Sequence, residues 1–292
     1  MNQFQPGILQ PVPAQASYLN FEVNPQVGTQ TVIDALKLID TENTVVGLGQ
    51  SLLDYLGKTM PGMKTMPAQS ANGITIASTP VDLWCWLRGD DRGELLHRAR
   101  QICQQLAPAF TFKNTLDAFC YADCRDITGY VDGTENPEDD EAIAAAIVSG
   151  DDASLQGSSF VAVQRWLHNL DQFETFSQKH QDDIIGRRRE DNVEFEGSPE
   201  SAHVKRTAQE SFEPEAFMLR RSMPWSKDLE AGLMFVAFGT SFYSFETQLN
   251  RMIGNEDGIT DGLFEFSEAH EGAYFWCPPV ADNRLLLTAL ED

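Results

Sequence analysis

Residues 16–23, ASYLNFEV, alternate Leu19, Phe21 and Val23 with Tyr18, Asn20 and Glu22. A period of two puts one set on each face of an extended chain, so the stretch predicts a half-buried strand. In TVIDALKLIDTE the apolar residues Val32, Ala35, Leu36 and Ile39 fall at helical spacing. Then follow TVVGLGQS and VDLWCWLRG as strands, GELLHRARQICQQLA as a helix and FTFKNTLDAFCYA as one long or broken strand. The order from residue 16 is β-α-β-β-α-β.

After a polar, acidic stretch around residues 138–156 the same order recurs. SSFVAVQRWLHNL reads as a strand and DQFETFSQKHQDDII as a helix opened by Asp171. A polar insertion, GRRREDNVEFEGSPESAHVKRTAQESFEPE, comes next. AFMLRRSMPW and GLMFVAFG read as strands, SFYSFETQLNRMIG as a helix stopped by Gly254, and GAYFWCPP as a closing strand. The expected fold is α+β, with two ferredoxin-like βαββαβ domains, residues 1–150 and 151–292, each an antiparallel sheet with helices on one face. Each half is the natural cover for the open sheet face of the other. The insertion far exceeds an ordinary connection, which marks it as a carrier of function.

The chain has 292 residues, 42% hydrophobic, with 18 Phe, which suits a packed globular protein. Its formal net charge of −23 repels phosphate backbones and anionic membranes, which argues against nucleic-acid or membrane partners. The first residues, MNQFQPGILQPVPAQ, show neither the basic nor the apolar region of an export signal, so a cytoplasmic location is expected. Five cysteines, an odd number lying mostly in apolar runs, suit reduced thiols. Cys120 and Cys124 have no second pair to complete a zinc site, and no C-x-x-C-H run exists for covalent haem attachment.

In GYVDGTENP, Asn136 and Pro137 read as the N-cap and first residue of a helix whose positive end is met by Glu138 to Glu141. Asp132 lies upstream of that cap, so it is either a turn residue bonding its own backbone or a reactive carboxylate. Arg220 and Arg221, adjacent on a strand, point to opposite faces, and one of them needs a buried acceptor or an anionic ligand. Among the histidines, His97 and His180 sit in charged surroundings and His168 ends a strand half-buried. His203 lies in the insertion, where it is either a surface residue or an axial ligand for iron.

Taken together, GYVDGTENP, SAHVKR, LRRSMPW and GLMFVAFG followed by FETQLNRMIGNEDGITDGLFEF resemble the dye-decolourising peroxidase family, haem enzymes with a G-x-x-D-G signature. Here the signature is Gly129, Tyr130, Val131, Asp132 and Gly133. The family fold is a pair of ferredoxin-like domains of the dimeric α+β barrel type, which agrees with the periodicity. The resemblance implies one non-covalent haem b per chain, held mostly by the C-terminal half. His203 matches the proximal iron ligand, Asp132 and Arg220 the distal catalytic pair, and Leu233 and Phe235 the apolar residues of the distal cavity. Gly133 and Thr134 are implied in cofactor contact, and Gly186 with Arg187 resembles an element beside a haem propionate. Asp261 is the candidate carboxylate orienting His203. Some relatives carry Asn two residues after the distal arginine, where this chain has Ser222.

The implied activity is reduction of hydrogen peroxide through a ferryl intermediate, with oxidation of dyes, phenols or other small one-electron donors. An ordinary aspartate pKa suits Asp132 as a base in acid unless burial raises it. Trp166, Trp225, Tyr243 and Trp276 are candidates for relaying electrons to the surface, or are plain core residues. The alternative is a haem or porphyrin carrier without turnover, which would need His203 but not Asp132 and Arg220 together. A homo-oligomer, dimer or larger, is expected from relatives. LLLTALED has no extension resembling an encapsulin cargo peptide, which argues against packaging in a nanocompartment.

Overall fold

The computed structural model describes residues 3–150, 152 and 154–291. Eight strands carry the architecture: β1 (Gln15–Val23), β2 (Thr44–Gly49), β3 (Leu83–Gly89), β4 (Phe110–Phe119), β5 (Ser159–His168), β6 (Met223–Lys227), β7 (Glu230–Gly239) and β8 (Ser267–Cys277). Their order is β5-β8-β2-β3-β1-β4-β6-β7, and β7 pairs again with β5, so the sheet closes into a barrel with every pairing antiparallel. Closure leaves no free edge along the ring. Within each run of four, the second, third, first and fourth strands in sequence lie side by side. The two runs meet at short seams, Phe275 and Trp276 against Gly49 and Leu48, and Ala118 against Trp225.

The sequence reading had each half covering the open face of the other. The structure adds that the halves also join edge to edge, making one interior. Tyr18 lies between Trp84 and Trp86, with ring centroids 6.1 and 6.2 Å away. Trp84 then stacks on Phe275 and Trp86 on Phe238, so rings from both halves fill one core. A second core lies outside the barrel. Helix α1 (Thr29–Lys37) contributes Val32, Ile33 and Leu36, helix α2 (Arg92–Leu106) contributes Leu95, Ile102 and Leu106, and both pack on the outer faces of the N-terminal strands.

Three elements differ from the reading by periodicity. The stretch 171–185 is not one helix opened by Asp171. It is two, Leu170–Thr175 capped by Asn169 and α4 (Gln178–Ile185) capped by Ser177, because Ser177 accepts from His180 N and restarts the helix. The helix after the signature, α3 (Asp139–Ala146), starts after Glu138, and Asn136 is not its cap. AFMLRRSMPW breaks into a two-residue strand, Leu219–Arg220, and β6, both laid on β7.

Because the aromatic core is shared, the barrel is expected to unfold as one unit. Trp86→Ala should cost about 3–5 kcal/mol, as for other buried aromatic truncations. Urea unfolding followed separately by far-UV circular dichroism and by aromatic signals should shift together. A variant losing only N-terminal structure in a first, separate transition would contradict a common core.

Candidate active site

The signature forms a tight turn before it forms a site. Asp126 N donates to Tyr130 O and Gly129 N donates to Asp126 O, both at 2.8 Å. Gly133 takes φ of +77°, and a β-carbon there would lie 2.8 Å from Asn136 Nδ2. Left-handed backbone and a blocked β-position together select glycine. The turn it makes leaves the Asp132 side chain lining a cavity of about 80 Å³ on the outer face of the barrel.

Asn136 does different work from the cap expected of it. Its Oδ1 accepts from Arg220 N at 2.8 Å and its Nδ2 donates to Arg220 O at 3.1 Å. An amide side chain bonding both groups of one residue mimics a neighbouring strand. Gln209 repeats the tie one step away, donating to Glu135 O at 2.7 Å and accepting from Met218 N at 3.1 Å. These four hydrogen bonds lock the segment after Asp132 to the segment carrying Arg220, and the Arg220 side chain lines the same cavity as Asp132.

On another wall, His203 opens a one-turn helix, α5 (His203–Arg206). Its Nδ1 lies 2.7 Å from Asp261 Oδ2, and the Asp261 side chain is 0% exposed. The other oxygen of Asp261 accepts from Leu263 N at 2.8 Å. With a carboxylate as acceptor, Nδ1 carries the proton, and Nε2 is left with a free lone pair on a ring that lines the cavity. Two further ties hold the helix. Arg206 forms a fork on Asp257 at 2.7 and 2.8 Å, and Gly262 N donates to Ser201 O at 2.7 Å.

Burial pushes the Asp132 carboxyl above the usual carboxylate range, and Asp126 adds to the shift, while Arg220 and His203 oppose it. Asp132 is therefore not the ordinary aspartate of the sequence reading. Arg220 Nε and Gln164 Nε2 are buried without protein partners, and both residues line the cavity. Unmet donors beside an apolar wall of Leu233, Phe235 and Trp166 fit a flat, largely apolar group bearing acceptor atoms. A larger groove of about 750 Å³ lies along α2 and strands β1 and β4. It has no histidine, and its one acid, Asp117, is already bonded to Ser17 and Arg92.

Of the residues singled out in the sequence, Asp132, His203, Arg220, Leu233 and Phe235 converge on the cavity, and Asp261 stands behind His203. Gly133 shapes the turn, while exposed Thr134 accepts from Asn192 Nδ2 at 3.0 Å. Arg187 does not line the cavity; it donates to Glu135 and Glu194 at 2.5 and 3.2 Å. Ser222 is turned to Val236 N, away from the cavity. Trp166 lines the cavity, Trp225 donates to Trp166 O at 3.0 Å, and Trp276 is buried. Of the four relay candidates only Tyr243 is exposed, its hydroxyl bonded to Pro214 O.

Gln164 and His168 were missed. Both lie on the same face of β5 as Trp166, so the two-residue period held the signal. His168 is nearly buried, with Nδ1 2.7 Å from Ser267 Oγ and Nε2 3.2 Å from Asp126 Oδ1. Burial alone would raise the Asp126 carboxyl, but His168 and Thr128 together hold it below the usual range.

The C-terminal model of the Dyp-type peroxidases matches residues 123–282. A dye-decolorizing peroxidase of Mycolicibacterium paratuberculosis is 30% identical over 212 residues, covering 70% of this chain and 60% of that relative. The chain thus spans less than two thirds of that relative's length. Among solved structures, a Shewanella oneidensis protein described as of Dyp type superposes with a TM-score of 0.89 at 30% identity, covering 96% of this chain and 97% of that one. A DypB variant from Rhodococcus jostii, crystallised in complex with heme, gives 0.84 at 27% identity over 93% and 95% of the two chains. With more than half of its length matched to the family model, the chain belongs to the Dyp-type peroxidase family.

The Asn136 clamp makes a testable demand. Asn136→Ala leaves Arg220 N unmet, at about 1–3 kcal/mol if it finds no substitute, and leaves Arg220 O with only the Arg221 guanidinium, 3.2 Å away. Asn136→Asp keeps the acceptor and loses the donor, so its midpoint in urea should fall between those of the parent and Asn136→Ala. Equal stability of all three proteins would mean that the clamp carries no load.

Proposed function

We propose that the chain is a haem peroxidase, consuming hydrogen peroxide and oxidising small one-electron donors such as phenols and dyes. The observation that carries this reading is one cavity holding an Asp261-bonded imidazole together with a carboxylate and a guanidinium. One non-covalent haem b per chain suits its apolar walls, its unmet donors and the free Nε2 of His203. The haem bound to the similar DypB variant supports the choice. A carrier would use His203 but would gain nothing from burying an acid beside a cation, so the peroxidase reading is preferred. We read the chain further as two ferredoxin-like halves, divided near residue 150, since both runs of four strands share one order.

Bound there, the haem would supply the redox centre at which the O–O bond is cleaved and two oxidising equivalents are held. The protein does the rest. An Asp132 carboxylate oxygen takes the proton from one peroxide oxygen and returns it to the other, which leaves as water. Arg220, always cationic, lowers the energy of negative charge developing on the leaving oxygen. Leu233 and Phe235 narrow the cavity and limit water. Asp261 fixes the His203 tautomer and strengthens its donation. Arg187 is held by Glu135 and Glu194 outside the cavity lining, so it would meet the carboxylates of the group only by leaving those partners.

Arg220→Ala should slow the bimolecular reaction with peroxide by about 10²–10³-fold, the usual cost of losing a charge-stabilising donor. It should also move the acid limb of the pH profile upward. Arg220 lowers the Asp132 pKa, so removing it raises that pKa, and the ionised base is lost at a higher pH as acid is added. Stopped-flow mixing with peroxide across pH tests both effects. An unchanged rate and limb would remove Arg220 from the reaction.

A further inference from the structure

A close pair of cysteines lies outside the cavity. Cys120 Sγ and Cys124 Sγ are 2.8 Å apart, at the start of the segment that leads into the signature. Cys120 follows the last residue of β4 and is anchored by its N–H to Ala14 O at 2.8 Å. Cys124 is exposed, on a turn where Ala122, Asp123 and Cys124 all take left-handed φ of 38°, 60° and 64°. None of the three is glycine, so this backbone is held rather than preferred. It is the conformation that brings the two sulfurs together.

We propose that Cys120 and Cys124 form a reversible dithiol–disulfide pair oxidised by hydroperoxides. The distance left to close is small, from 2.8 Å to about 2.05 Å for a bonded pair. In the first step one thiol loses its proton, its sulfur attacks a peroxide oxygen and the O–O bond breaks, giving a sulfenic acid and a hydroxide that takes up that proton as water. In the second step the other sulfur attacks the sulfenic sulfur, and hydroxide leaves with the second thiol proton as water. Overall, two thiols and one hydrogen peroxide give one disulfide and two waters. Two electrons pass from the sulfurs to the peroxide.

The surroundings of the pair are acidic. Burial, the contact with Cys120 and the Asp123 and Asp132 carboxylates push the Cys124 thiol up to about 11. Each cysteine of the pair thus has the other within reach to resolve it, whichever sulfur meets peroxide first. The consequence reaches the signature turn. Arg125 N donates to Tyr121 O at 2.8 Å, and its guanidinium donates to Gly129 O at 2.7 Å and Arg189 O at 3.0 Å. A bond between residues 120 and 124 would fix Arg125 and, through it, the turn that presents Asp132. This chemistry does not require the cavity to hold haem.

The test uses the full chain exposed to hydrogen peroxide or, in parallel, to diamide, then denatured, alkylated and read by peptide mass. The expected result is joint loss of alkylation at Cys120 and Cys124, a peptide lighter by two hydrogens, and recovery with a thiol reductant. Buried Cys85 and Cys277 should stay alkylatable and serve as internal controls. Cys124→Ser and Cys120→Ser should each stop the reaction at a sulfenic acid on the remaining cysteine of the pair, trapped by dimedone. Hydrogen exchange over residues 121–133 should slow in the oxidised protein. The pair is overturned if both cysteines alkylate fully after either oxidant, or if each oxidises independently to the sulfinic acid.

Discussion

Strand β5 is buried on both faces, and the rest of the structure is arranged to satisfy it. Val161 and Val163 enter the aromatic interior shared by both halves of the chain. Gln164, Trp166 and His168 face outward and form one wall of the cavity. A strand of this kind cannot slip by one residue, because the slip would exchange the two faces completely. The barrel on one side and the cavity on the other are thus held in a single register. β5 pairs with both β7 and β8, which bring Leu233, Phe235 and Ser267 to the same wall.

Asp132, His203 and Arg220 come from segments with little regular structure, and side-chain hydrogen bonds replace the missing ladders. Asn136 and Gln209 act as substitute strand neighbours for residues 218–220, and Asp261 fixes His203 from a buried turn. This explains how a chain with a polar insertion of about thirty residues can hold three reactive side chains in place. Irregular backbone is stable where its polar groups are met, and here buried amides and carboxylates meet them. The unmet donors that remain, on Arg220 and Gln164, lie where an occupant would supply acceptors.

Much of the fold was legible because strand and helix periods are local. Tyr18 and Leu19 declared their two faces, and the repeated element order pointed to two similar halves. Closure of those halves into a barrel was not legible, since seams such as Ala118 against Trp225 depend on pairings far apart in sequence. At the site, Asp132, His203 and Arg220 could be named because family motifs carried them. Asn136 was misread because Asn before Pro is also a capping pattern, and only the distant Arg220 backbone decides between the two uses. His168 and Gln164 were open to discovery through the alternation of β5. Their pairing with Asp126, Ser267 and Trp166 was not.

The central claim is that the imidazole held by Asp261 is the ligand of a haem in the cavity. Its most direct measurement is a titration of the purified full chain with hemin, followed at the Soret band, for the parent, His203→Ala and Asp261→Ala. The account predicts saturation at one equivalent per chain, loss of the histidine-ligated spectrum in His203→Ala, and binding weaker by about 10–100-fold in Asp261→Ala. Hemin that fails to saturate the parent, or a His203→Ala protein with the parent's spectrum and affinity, would contradict it.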